Sequence, residues 1–191
     1  MVKFEQVRAM LGAPNVAVPK GIRDRAILSI MFGAGMRVGE ILELRLSDVK
    51  HTELGTMVLE LRATKAGKDA RQPLPFWAQS AVHELYMLRL DQGAAPTDYL
   101  VNSYEHTTPT QAAMSPQGVH KLFMSYARKA GVDAYVTPHS ARATAITKLL
   151  ADGKSHREVM EFSRHSSVVM VEGYDKQVRG VEENPGLDLE F

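Results

Sequence analysis

Apolar residues recur at helical spacing through most of this chain, and capping residues punctuate those stretches, which confines the fold to a largely helical architecture. The clearest stretch opens at Ser115-Pro116, an N-cap followed by proline at the first helical position. It continues as a stripe of Val119, Leu122, Phe123, Tyr126, Ala127 and Ala130 and ends at Gly131. Thr137-Pro138 repeats the start signal for a helix reaching Ala151, where Asp152-Gly153 supplies the stop. Ser155-His156-Arg157-Glu158 is a capping box that opens the next helix. Residues 21 to 33 place Ile22, Ala26, Ile27, Ile30 and Met31 on one face, and Gly33 with Gly35 breaks the pattern before a short helix with Ile41, Leu42 and Leu44. Trp77, Ala81, Leu85 and Leu88 mark another helix over residues 77 to 90.

Strand signals cluster in one place. Residues 56 to 63 alternate and are rich in β-formers, and residues 71 to 75 follow the turn-like Ala66-Gly67-Lys68-Asp69. A short antiparallel hairpin is expected there, extended to a three-stranded sheet by residues 46 to 50. Residues 93 to 114 mix polar residues, proline and threonine without a period, and read as a surface excursion. No repeat and no Pro/Gly/Ser linker divides the 191 residues, so the expectation is one domain, mainly α with a small antiparallel sheet.

The chain has no cysteine, which excludes disulfides, thiolate zinc sites and thiol nucleophiles, so any nucleophile must be an oxygen or a nitrogen. It has no apolar run of the roughly 18 to 20 residues that a membrane span needs, and its first residues lack a secretory signal, so a cytoplasmic location is expected. The formal charge of +1 hides an asymmetry. Residues 172 to 191 hold six acids against two bases, a local charge of −4, so the other 171 residues carry +5.

Four motifs carry possible chemistry. In Thr137-Pro138-His139-Ser140-Ala141-Arg142, the histidine and arginine lie three apart in a first helical turn, near the N–H groups and dipole that favour an anion such as phosphate. The competing reading is a cap-region histidine and a surface arginine. Arg37 follows the glycine break directly ahead of an apolar helix, so it is expected near the interior, paired with a carboxylate such as Glu40 or with a ligand phosphate. The hairpin tip from Thr64 to Arg71 carries Lys65, Lys68 and Arg71, suited to a DNA backbone or simply to solvent. Ser163-Arg164-His165-Ser166-Ser167 is followed by Tyr174, nine residues after the histidine, and each of these residues alone is equally a packing or surface residue.

Taken in order, these motifs resemble the tyrosine recombinase, or phage integrase, family over nearly the whole chain. Gly35-Met36-Arg37-Val38-Gly39-Glu40-Ile41-Leu42 resembles the family's first arginine box, Lys65 its β-hairpin lysine, His139 and Arg142 its His-x-x-Arg box, and His165 with Tyr174 its terminal pair. Two departures stand out: Arg164 occupies a position that is often glycine, and Ala143 one that is often histidine.

The resemblance implies the fold of that family's catalytic domain and a DNA transesterification through a 3′-phosphotyrosyl intermediate. Tyr174 would be the nucleophile. A phenol with a reference pKa of ~10 needs a proton acceptor, and His139 is the candidate. Arg37 and Arg142 would clamp the nonbridging oxygens, His165 would add a hydrogen bond, and Lys65 would protonate the leaving 5′ oxygen. Two guanidinium groups would make a divalent metal unnecessary, and a phosphotyrosyl ester conserves bond energy without ATP, so no metal or cofactor is expected.

Lys68, Arg71, Lys121, Arg128, Lys129 and Arg164 are the candidate accessory DNA contacts. The partner implied is double-stranded DNA, with a homotetramer assembled on it and a monomer when free. The chain is expected to be one catalytic domain over 1–191, with 175–191 as a C-terminal tail and without the family's separate N-terminal clamping domain. Leu187, Leu189 and Phe191 are candidate anchors for docking that tail on a neighbouring subunit. Two alternatives stay open, a type IB topoisomerase-like DNA relaxation and a noncatalytic DNA-binding regulator of the same fold.

Overall fold

The computed structural model describes residues 1–62 and 70–178, except for the side chains of 176–178. The elements run α1 (Phe4–Gly12), α2 (Pro19–Ala34), α3 (Val38–Glu43), a single 3-10 turn (Leu46–Asp48), β1 (Val49–His51), β2 (Met57–Leu61), β3 (Ala70–Pro73) and α4 (Phe76–Asp91). They continue with β4 (Asn102–Glu105), β5 (Thr108–Ala113), α5 (Pro116–Lys129), α6 (Pro138–Ala151), α7 (His156–Ser163) and α8 (Val168–Val178). This is the expected mainly helical domain with small antiparallel sheets.

The capping signals act as read. Ser115 Oγ accepts the N–H of Gly118 at 3.0 Å, and Ser155 and Glu158 bond reciprocally at the start of α7. Gly131 and Gly153 follow α5 and α6 with φ of 69° and 79°, a left-handed conformation that costs glycine nothing. The α5 stripe of Val119, Leu122, Phe123, Tyr126 and Ala127 is buried, so the sequence period translates directly into packing.

α2 is central, buried through most of its length and packed on α4 and α6, while α6 also carries α7 and α8. One main core gathers side chains from α1 to α6 and the sheet. A smaller cluster of Ile146, Val159 and Val171, with Phe162 and Tyr174 packed against it, joins α6, α7 and α8. No helix among the described residues is long and apolar enough to cross a membrane.

The three-stranded sheet has the order β1-β2-β3, fully antiparallel, with Leu59 opposite both Val49 and Gln72. Two details differ from the sequence reading. Residues 46 to 48 form a 3-10 turn rather than strand, because the buried Asp48 carboxylate accepts the Arg45 N–H at 2.8 Å and also binds Arg62, which curls the chain before β1 begins. The stretch read as a surface excursion contains a second hairpin, β4–β5, entered through the fully buried Leu100 and Val101 and beginning at the fully buried Asn102. Arg89 of α4, itself fully buried, anchors that hairpin by donating to the carbonyl of Tyr99 and to Gln111 Oε1.

The end of α2 fixes the approach to the site. Gly35 has φ 57°, and a Cβ placed there would lie 2.8 Å from the ring of Phe162 in α7. Gly35→Ala is expected to destabilise the fold by about 1–3 kcal/mol through left-handed strain and this clash, a loss read as a lower urea midpoint at unchanged slope.

Candidate active site

Four chain segments meet at one end of the domain: the α2–α3 junction, the first turns of α6, the turn between α7 and α8, and α8 itself. Arg142 lies at their centre. It projects from α6 into the interior, is 2% exposed, and donates Nη1–H to the carbonyl oxygen of Gly35 at 2.6 Å and Nη2–H to that of Ser163. The guanidinium thus ties the end of α2 to the end of α7, and two of its five N–H donors are spent on doing so. Burial, then the neighbouring Arg37 and Arg164 cations, lower its pKa to about 10, while Glu40 and Tyr174 act in the opposite sense. It remains cationic at neutral pH.

Arg37 is the N-cap of α3, with extended backbone angles of −74° and 150°. Its N–H donates to Glu40 Oε2 at 2.8 Å, and its Nη1–H to Glu40 Oε1 at 3.0 Å. The expected carboxylate partner is therefore present, but the expected interior position is not, since the Arg37 side chain is 46% exposed. The cap geometry explains this. A residue that must turn back to bond its own helix's third position stays at the rim of the domain.

Arg164 has the opposite outcome. Expected to meet DNA, it points into the protein with its side chain 13% exposed, donating Nη2–H to Glu40 Oε2 at 2.6 Å and Nη1–H to Gln72 Oε1 of β3. Its backbone is left-handed, with φ 54° and ψ 37°, which ends α7 and turns the side chain toward α3. Burial is the main cause of a lowered Arg164 pKa.

His165 follows directly. One ring nitrogen, Nδ1, lies 3.0 Å from the hydroxyl of the buried Ser163. Desolvation, then repulsion from Arg142, Arg37, His139 and Arg164, pushes its pKa down to about 4, so the imidazole is neutral at pH 7. His139, exposed at the second position of α6, thus belongs to the same electrostatic neighbourhood. The Tyr174 ring stacks on that of His165, with centroids 6.2 Å apart and planes 13° from parallel. The next residue of α8, Asp175, bonds His156 Nε2 through Oδ2 at 2.9 Å, pinning the tyrosine's helix to α7.

Three guanidinium groups gather near one carboxylate, Glu40, which binds Arg37 and Arg164, leaving a net charge of +2 beside a neutral imidazole and a phenol. Such a cluster can hold an oxyanion between fixed donors and present a hydroxyl to it. Lys65 and Lys68 lie outside the described residues. Arg71 is exposed and paired with Glu60 at 3.0 Å, while Lys121, Arg128 and Lys129 are exposed along α5. The sequence reading gave no role to Gln72 or to Ser163. Gln72 was findable as the inward residue of an alternating strand, buried next to the exposed Arg71 and Pro73.

The sequence profile of the phage integrase family matches residues 1–179. Among curated relatives, the chain is 31% identical over 172 residues to the tyrosine recombinase XerA of Thermococcus kodakarensis, covering 90% of this chain and 56% of that protein. It is 29% identical to the tyrosine recombinase XerD of Lacticaseibacillus casei, covering 88% and 55%. The chain therefore spans about half the length of these relatives. In fold it is similar to the crystal structure of XerA recombinase, with a TM-score of 0.78 at 24% identity, over 97% of this chain and 61% of that one. It is also similar to the XerH site-specific recombinase bound to its palindromic difH substrate in a post-cleavage complex, with a TM-score of 0.80 at 18% identity, over 98% and 52%. The ordered arginine, histidine and tyrosine boxes, the shared fold and the match over residues 1–179 together make this chain a member of the phage integrase family, the tyrosine recombinases.

Proposed function

We propose that this protein is a site-specific DNA recombinase that cleaves and rejoins strands through a covalent 3′-phosphotyrosyl bond to Tyr174. The observation that carries the proposal is the stacking of Tyr174 on His165 beside the buried Arg142, because it puts a phenol next to an excess of fixed positive charge. Several relatives of the same fold are described as bound to DNA, XerH among them, which supports double-stranded DNA as the substrate.

In this mechanism the phenolic oxygen attacks the phosphorus, its proton passes to a base, and the 5′ oxygen departs opposite it. Negative charge grows on the nonbridging oxygens, where the guanidinium groups of Arg37 and Arg142 are already charged and already positioned, so little reorganisation is needed. His139 is the proton acceptor, being exposed and close to the cluster. His165, held neutral, donates or accepts a hydrogen bond according to its tautomer, and Ser163 at Nδ1 biases which one. Lys65 supplies the leaving-group proton. Two arginines provide the charge that a metal ion would otherwise bring, and the ester to Tyr174 keeps the energy for religation, so neither metal nor ATP is needed. The proposed working assembly is a homotetramer on two duplexes.

A nicked suicide duplex offered to the wild type should trap a covalent adduct in EDTA, and Tyr174→Phe should trap none. Adduct formation by the phenylalanine variant would refute the assignment of Tyr174. Lys65→Ala should cleave about 100-fold or more slowly, within the usual range for a general acid. A bridging 5′ sulfur, whose thiolate leaves without a proton, should restore that variant, and no restoration would remove Lys65 from the role.

The His165 imidazole should titrate near 4 in the free protein, followed by NMR, and higher once orthovanadate or DNA occupies the site, because an added anion favours the protonated ring. Its folded pKa lies below the ordinary 6.5. The unfolded chain therefore takes the proton first, so this group is without effect on stability above about pH 6.5 and subtracts from it as pH falls toward 4.

A further inference from the structure

Arg164 lies in a conformation that glycine adopts freely and arginine does not, yet its side chain is nearly enclosed. What the side chain touches accounts for its presence. Glu40 Oε2 receives two donors, the N–H of Arg37 at 2.8 Å and Nη2–H of Arg164 at 2.6 Å, while Oε1 receives Arg37 Nη1–H at 3.0 Å. Arg164 Nη1–H binds Gln72, which is 2% exposed in β3, the strand that follows the segment containing Lys65. Arg164 Nε is buried with no protein acceptor, so the group is sealed in rather than reaching outward.

We propose that Arg164 is a positioning residue of the cleavage site, which shares Glu40 with Arg37 and grips Gln72, and so fixes the His165 turn, α3 and β3 relative to one another. This rests on the recombinase reading above. An arginine and a carboxylate prefer a bidentate pair in which both oxygens face one guanidinium. With Oε2 occupied by Arg164, Glu40 holds the Arg37 side chain through a single oxygen, and the remaining donors of Arg37 stay available to an anion. Removing Arg164 frees Oε2 to close on Arg37, which neutralises that cation and releases the turn that carries His165. Arg164 thus acts through Arg37 and His165, without touching DNA.

The test compares wild type, Arg164→Gly and Arg164→Lys in single-turnover cleavage of the suicide duplex at saturating protein, with DNA affinity measured at several salt concentrations. Glycine removes the side chain and also relieves the left-handed backbone, so loss of fold is not expected, and circular dichroism checks it. Arg164→Gly should cleave about 10- to 100-fold more slowly, as expected when a reacting group is misplaced by an ångström. Its DNA affinity should stay within about twofold, at the same salt slope. Lysine, which keeps the charge but cannot span Glu40 and Gln72 together, should recover only part of the rate.

The His165 titration should move to higher pH in Arg164→Gly, because one neighbouring cation is gone while Arg142 and His139 of α6, Arg37 at the α3 cap and Tyr174 of α8 remain. A wild-type cleavage rate in Arg164→Gly would overturn the proposal. So would a fall in affinity with a shallower salt slope and an intact saturating rate, the signature of a phosphate contact. If Arg164→Gly failed to fold, a wild-type rate in Arg164→Lys would overturn it as well. A wild type that forms no adduct would sink the recombinase reading instead. In that case an unshifted His165 titration in Arg164→Gly would still count against Arg164.

Discussion

A buried guanidinium can persist only if its donors are satisfied, and Arg142 satisfies two of them with backbone carbonyls rather than with a carboxylate. That choice organises the site. Carbonyl oxygens fix the position of the group without cancelling its charge, and the carbonyls used belong to the residue that caps the end of α2 and to the last residue of α7, so one side chain holds two helix ends in register. The carboxylate that acts on it, Glu40, is already divided between Arg37 and Arg164. Positive charge is thus concentrated where the fold offers no full counterweight, and burial first, with that imbalance second, lowers the pKa values of Arg142, Arg164 and His165.

The helices were legible because their signals are local. A serine or threonine cap, a proline behind it and a glycine at the far end act within a few residues, and Ser115-Pro116, Thr137-Pro138 and Ser155 with Glu158 begin helices as read. The β4–β5 hairpin was not legible, because its strands are polar and its hold on the domain comes from Arg89, a residue of α4 whose carbonyl and amide partners lie 10 and 22 positions away. A lone arginine in a helical stripe gives no warning that it will anchor a sheet.

At the site, residue types and order identified the family, and geometry then redistributed the arginines. Arg37 was expected inside and is half exposed, whereas Arg164 was expected at the DNA surface and is enclosed. Both outcomes trace to Glu40. A carboxylate at the third position of α3 pulls the cap arginine back along the rim and draws in a second arginine from 124 residues away. Charge patterning counts bases but does not say which way a left-handed turn will aim them.

The small cluster beneath α8 has a mechanical consequence. Tyr174 rides on a helix whose fully buried apolar anchor, among the described side chains, is Val171, set against Ile146 and Val159 and separate from the main core, with Asp175 and His156 as a polar catch. At roughly 25 cal/mol per Å² of apolar surface, so small a contact holds its helix far less firmly than the core holds α2. The proposed nucleophile thus sits on the lightly packed part of the domain and the positive charge proposed to receive it on the densely packed part, which would make engagement of Tyr174 separable from the integrity of the domain.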